Sequence, residues 1–333
     1  MYSEVAATYE NGVLKLDRPL SLADGERVLV RTEPLASDVT PKVFYHYCSV
    51  DAFLGIIRDG LFRLSNLWFM NDSKEVRWFY GIALEIAGDR LDKLEFGSDP
   101  SDAAKEYLQT LKRNLEKRPD FDHVYCGCFS AKPDDLSQWR GYADEGRGLA
   151  IGFDLGEICA LPENKPGVLR CVDVEYCEEE QRKKAESVVE EFGSPSKCAF
   201  GNDPLKHPRS QAWKAYYDLS RFAPRCKNPS FRSEEETRVI LHPSNDSSFR
   251  DPILDYRKSV ARFPAGEVEF RFRGERIIPY VTITVPRTSI KEIVFGPRFG
   301  GQENHSALRL VLVAHGIDLA SVKIWPSTAT YRG

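Results

Sequence analysis

No apolar stretch in this 333-residue sequence reaches the roughly 18 residues that a membrane-crossing helix needs. The first residues, "MYSEVAATYENG", carry neither a basic start nor an apolar run, so no secretory signal is expected. No C-x-x-C pair occurs among the 8 cysteines. Their one close pair is the C-x-C of Cys126 and Cys128, and no set of four well-spaced zinc ligands can be assembled. Reduced thiols and a cytoplasmic location are the expectation. A G-x-x-x-x-G-K-[ST] loop is absent. The G-x-G at Gly146–Gly148 runs into a strand pattern, whereas a dinucleotide fingerprint opens a helix, so the Rossmann reading is rejected. Charge of either sign is hardly in excess: 46 basic against 50 acidic residues give -4, which argues against a surface that binds nucleic acid all over and leaves room for a local basic groove. Internal repeats and low-complexity tracts are missing too.

What is present is ordinary globular composition, 42% hydrophobic and 29% charged. Residues 1–36 form a distinct β module. "EVAATYENGVLKL" alternates around Asn11-Gly12, a pair suited to a type I′ hairpin because both central residues take positive φ. "ADGERVLVRTEP" supplies a third strand. A segment this short buries no core alone, so it pairs with another chain or lies on the rest of the protein, and a homodimer through it is expected. Residues 37–42 read as a linker and 43–333 as one larger domain.

In that domain a strand at 43–48 leads into a helix at 50–58. A polar helical region fills 73–118, broken near 97–102. Strands follow at 123–129 and 148–153, then helices at 178–192 and 208–222. Strands return at 236–242, 268–272, 276–285 and 291–295. In a helix at 303–316, Leu308, Leu310, Val311, Leu312 and Ala314 share a face, and "VKIWPS" is a last strand. Helices gather early and strands late. The fold class expected is α+β: a mixed or antiparallel sheet with helices, plus the small all-β N-terminal module.

Four clusters could carry chemistry. Tyr45-His46-Tyr47 stands in the first strand, followed by Ser49. Asn71, Asp72 and Glu75 follow an aromatic run. Ser130, Trp139, Arg140 and Tyr142 precede the glycine-led strand. Glu234, Glu236 and Arg238 alternate, which in an extended segment sets all three on one side. Two carboxylates and a guanidinium are costly to bury without partners, so the trio is expected on a solvated edge or in a polar cleft. Each cluster also has a purely structural reading. A strand histidine is commonly a satisfied core residue, and Asn71-Asp72 suits a turn or helix cap.

Residues 4–33 resemble a family of small prokaryotic antitoxin-like proteins in "ATYENGVLKLDRPLSLADGERVLV", with Leu16 where that pattern has proline. From Tyr45 onward the chain resembles a widespread bacterial family of uncharacterised domains. The matching residues are Tyr45-His46-Tyr47, Phe69 to Glu75, Cys128-Phe129-Ser130, Trp139 to Ala143, Gly148 to Phe153, Glu234 to Arg238 and Ile290 to Gly296. A further resemblance, in "YHYCS…LGIIRDGLF" and the late E-x-E, is to ADP-ribosyltransferases. It implies NAD as the substrate, Glu236 and Glu234 as catalytic carboxylates, and a dinucleotide held by His46, Tyr47, Ser49, Asn71, Trp139, Arg140, Tyr142 and Arg238. The middle residue of the implied triad is Tyr142 or Ser130.

The chemistry is coherent. Cleaving the nicotinamide–ribose bond passes through an oxocarbenium-like state that a carboxylate beside the ribose stabilises. The acceptor is left open between a protein, a nucleic acid and water, the last making the enzyme an NAD glycohydrolase, and the implied setting is a toxin or phage-defence effector carrying its own antitoxin-like module. Two alternatives stand beside it. One is a non-enzymatic nucleotide-sensing module. The other is a metal-dependent nuclease using Asp72, Glu75, Glu234 and Glu236. The triad reading requires His46, Tyr142 and Glu236 to converge in one cleft.

Overall fold

The computed structural model describes residues 7–10, 13–16, 43–70, 74–94, 99–117, 124–164, 169–194, 196–201, 203–241 and 268–331. At the N-terminal end β1 (Ala7–Glu10) and β2 (Val13–Leu16) pair antiparallel, with Glu10 opposite Val13. The flanks of Asn11-Gly12 thus meet as its turn chemistry requires. The expected third strand, the linker and Asn71 to Ser73 lie outside the described residues.

The larger domain begins with β3 (Val43–Cys48) and α1 (Val50–Asp59). Ser49 caps α1, its hydroxyl accepting from Ala52 N at 3.3 Å. Gly60, at φ 64, ends the helix in the left-handed conformation that a glycine adopts without steric cost. There follow β4 (Leu61–Asn66), α2 (Lys74–Asp92), α3 (Asp99–Glu116), β5 (Tyr125–Ser130), α4 (Leu136–Tyr142), β6 (Leu149–Asp154) and α5 (Leu155–Ala160). Then come β7 (Leu169–Asp173), α6 (Glu178–Gly193), α7 (Pro208–Phe222) and β8 (Glu236–Leu241). The chain closes with β9 (Glu269–Arg273), β10 (Arg276–Thr284), β11 (Ile290–Phe295), α8 (Gly301–Ala314) and β12 (Lys323–Pro326).

Ten strands form one sheet, in the order β12-β11-β6-β3-β5-β4-β10-β9, with β8 and β7 branching from β5. Its strand pairs are antiparallel except β11 with β12, so the α+β class with a mixed sheet is correct. β5 is the branch point. Ser130 at one end pairs Tyr45 of β3, Cys126 near the other pairs Ser65 of β4, and β8 runs along all of β5 on its opposite edge.

Each face of the sheet is covered. On one, Phe44, Phe62, Phe129, Phe153 and Val281 pack with Ile57 of α1, Ile158 of α5 and Leu312 of α8. On the other, Cys126 and Ile240 pack with Phe79 of α2, Leu111 of α3, Val188 of α6 and Leu219 of α7. A small third cluster, Tyr45, Tyr47, Trp139, Ala143, Ala150 and Val294, lies beneath α4. Register places it on the same face as the second cluster, because Tyr45 pairs Ser130 and residues directly opposite in an antiparallel pair share a face.

One glycine is dictated by close approach: a Cβ on Gly148 would sit 2.0 Å from the backbone oxygen of Cys48, where β6 sets off against the end of β3. The structure corrects one helix face. Leu308 and Leu312, four apart, are buried, whereas Leu310 is 71% exposed, since two residues turn a helix by about 200°. Among the described residues no helix is long and apolar enough to cross a membrane.

Candidate functional site

β8 opens at Glu236 after a 3-10 helix, Pro229–Glu234, and a left-handed Glu235 at φ 43. The extended alternation expected through Glu234, Glu236 and Arg238 is therefore broken at Glu235. The two carboxylates meet by another route. Lys227, from the loop after α7, places its Nζ 2.5 Å from Glu234 Oε2 and 3.0 Å from Glu236 Oε2. Arg238 donates to both Glu236 oxygens, from Nε at 2.7 Å and Nη2 at 3.0 Å, and from Nη1 to Pro224 O at 2.9 Å. Two cations and two anions thus neutralise each other. Lys227, Glu236 and Arg238 are buried and Glu234 keeps 17% of its side chain exposed. The trio is not on a solvated edge, because Lys227 supplies the partner that burial demands.

Burial by itself raises the Glu236 carboxyl. The charge and hydrogen bonds of Arg238, then the charge of Lys227, outweigh it and pull the pKa down to about 2. The Cys128 thiol, in hydrogen-bonding contact with Cys126, buried and close to Glu236, is pushed well above the ordinary thiol range. Tyr176 fixes the strand from the side, its hydroxyl accepting from Glu236 N at 3.1 Å.

Tyr142, the last residue of α4, stands at the mouth of this network with 47% of its surface exposed. Burial of its hydroxyl, then the charge of Glu234, raises its pKa, with Lys227 opposing and Glu236 adding to the rise. Tyr142 thus lies within electrostatic reach of both glutamates. Ser130, the other candidate for the middle position, is buried. Its hydroxyl donates to Glu234 O at 2.8 Å and accepts from Lys132 N at 3.1 Å, so it locks the loop.

His46 does not join them. It alternates with Tyr45 on β3, and Tyr45 pairs Ser130, which pairs Glu236. Side chains alternate across a strand, so the imidazole leaves the opposite face of the sheet. There it lies edge-on to Phe62 (4.7 Å between ring centroids) and against Phe129 (5.7 Å), with Nδ1 3.1 Å from Cys128 O. Burial lowers its pKa to about 4, against the hydrogen bond to Cys128 O and helped by Arg271. The expected convergence of His46, Tyr142 and Glu236 is thus not what the fold builds, and the histidine sits in the aromatic core.

The other candidates are mostly engaged in architecture. Tyr47 donates to Lys132 O at 2.7 Å and accepts from Asp135 N at 3.1 Å. Trp139 is fully buried, edge-on to Tyr47, its indole donating to Asp134 at 2.7 Å, so its ring is not open to stacking by a ligand. Ser49 is the α1 cap. Arg238 is spent on Glu236 and Pro224. Arg140 is exposed on α4 but lies over the Tyr331 ring, 5.8 Å from its centroid. Asn71 and Asp72 lie outside the described residues. The nuclease alternative meets an ammonium, Lys227, at the point between Glu234 and Glu236 where a divalent ion would be required.

Sequence reasoning missed Lys227, Tyr176 and Asp134. Asp134 accepts from Trp139 and from Ser327 and Thr328 of the C-terminal segment. None of them shares a periodic pattern with the residues it meets.

Residues 138–239 match a sequence family described as a protein of unknown function, DUF2971. That stretch runs from α4 to β8 and includes Tyr142, Lys227, Glu234, Glu236 and Arg238. Residues 1–49 match the AF2212-like family. No curated protein and no solved structure matches the chain.

Proposed function

We propose that the domain binds a nucleotide of the NAD class at the surface where Tyr142 meets Glu234, and that binding, without turnover by a His46–Tyr142–Glu236 triad, is its activity. The observation that carries this reading is a half-exposed Tyr142 ring within electrostatic reach of Glu234, a carboxylate that is itself part-exposed. A phenol ring is a stacking platform for a base or nicotinamide. A carboxylate accepts from the two hydroxyls of a ribose. Lys132, whose Nζ donates to Ser233 O at 2.6 Å and lies 3.4 Å from Glu235 and 3.7 Å from Asp135, is a nearby cation that a diphosphate would have to win from those carboxylates.

Glu236 serves this site indirectly. With both oxygens committed to Arg238 and one also to Lys227, it is not placed to follow charge developing on a substrate, and it holds Lys227, which holds Glu234. Binding fits better than bond cleavage for that reason.

The test is calorimetric titration with NAD, ADP-ribose and AMP, with NAD turnover measured on the same sample. Binding weakened at least tenfold in Tyr142→Ala and Glu234→Gln is expected, with no turnover. Turnover that disappears in Glu236→Gln while the fold stays intact would restore the transferase reading.

A further inference from the structure

The C-x-C pair has no part in the nucleotide reading, and the fold gives it a third member. Cys126 and Cys128 are two residues apart on β5, so both thiols leave the same face of the strand. They are within hydrogen-bonding reach of each other. Met70 follows the 3-10 helix Leu67–Phe69, and the Cys126 thiol donates to its Sδ at 3.3 Å across 56 residues of sequence. Both cysteines are free thiols. Cys126 and the Cys128 thiol are buried, and the part-exposed Met70 offers an ion a way in.

The donor chemistry is selective. Among the described residues no group of three His, Cys, Asp or Glu side chains is disposed to hold a metal. The carboxylate that the Cys128 thiol reaches, Glu236, has both oxygens held by Arg238 and one also by Lys227, so it is not open to a hard ion. Two thiols and a thioether are the donors that a soft ion prefers. With a metal–sulfur bond of about 2.3 Å, three donors in a plane stand about 4 Å apart. The 3.3 Å contact needs to open by well under an ångström, and methionine is unbranched and adaptable.

We propose that Met70, Cys126 and Cys128 form a binding site for a soft monovalent metal ion of the Cu(I) class. On binding, two metal–thiolate bonds and one metal–thioether bond form, two S–H bonds break, and two protons pass to water. No electron is transferred. The resulting single negative charge faces the Glu236 carboxylate, which opposes it, and the Arg238 guanidinium, which favours it.

The test uses the reduced full-length chain under argon, titrated with Cu(I) held by bathocuproine disulfonate, with transfer read from the loss of chelator colour. One equivalent per chain, retained in Cys171→Ser, is expected. Met70→Leu lowers the affinity at least tenfold, and Cys126→Ser or Cys128→Ser removes the equivalent. Circular dichroism checks each fold. Where a serine variant does not fold, the volume-conserving Met70→Leu decides. No transfer to the parent chain, or an affinity unchanged in Met70→Leu, overturns the proposal.

Discussion

Lys227→Met removes the ammonium that joins Glu234 to Glu236 and keeps a side chain of similar length. Its Nζ lies 2.5 Å from one carboxylate and 3.0 Å from the other, and 4.8 Å from the Phe231 ring centroid. Breaking a buried ion pair by deleting one partner costs about 3–5 kcal/mol, because the other charge stays desolvated. The lower end applies here, since Arg238 still grips Glu236 twice and Glu234 is part-exposed. At roughly 2–4 °C per kcal/mol for a large domain, a loss of about 3 kcal/mol lowers Tm by about 6–12 °C. Calorimetric or fluorescence-detected melting reads this directly. A double variant, Lys227→Met with Glu234→Gln, is expected to lose much less than the two singles added together, because the neutral amide needs no ammonium. A single variant within about 1 kcal/mol of the parent, or strict additivity in the double, would refute the idea that Lys227 neutralises this site.

Other outcomes follow from the same structure. His46 has a folded pKa of about 4, below its ordinary 6.5. Between those values the unfolded chain binds a proton that the folded chain refuses, so stability is full above pH 6.5 and declines toward pH 4, by about 3 kcal/mol in all. His46→Phe should flatten the melting profile from pH 7.5 to 4.5, and an unchanged slope would argue against the buried imidazole. Gly148→Ala drives a Cβ into the Cys48 carbonyl and is expected to prevent folding or to cost several kcal/mol, read by soluble yield and melting. Removal of residues 1–36 should change the oligomeric state measured by light scattering, and no change would remove the case for a dimerising module.

Much of the fold was legible because its signals are local. Asn11-Gly12 announced the hairpin, a break expected near 97–102 does fall between α2 and α3 although α3 already begins at Asp99, and the strand expected at 148–153 is found at Leu149–Asp154. Four short elements were missed: β4, β7, α4 and α5 span only 5 to 7 residues, too few for apolar spacing to tell strand from helix, whereas β3, β5 and β8 of similar length stand out by aromatic or β-branched runs.

The site failed for a different reason. Alternation along β3 does place His46 with Phe44 and Cys48, but which face holds Glu236 depends on the pairings of β3 with β5 and β5 with β8, which are non-local. The alternation read through Glu234, Glu236 and Arg238 was interrupted by one left-handed residue, Glu235, that no pattern marked. Lys227 comes from an irregular loop, and Met70 reaches Cys126 over 56 residues. Composition cannot reveal such meetings.

We place ligand binding on the Tyr142–Glu234 face and not at His46. Calorimetric titration of NAD into Tyr142→Ala and His46→Phe separates the two. An affinity loss of at least tenfold is expected for the first and a change within about twofold, roughly 0.4 kcal/mol, for the second. Loss of binding in His46→Phe with the fold intact, and none in Tyr142→Ala, would contradict that placement.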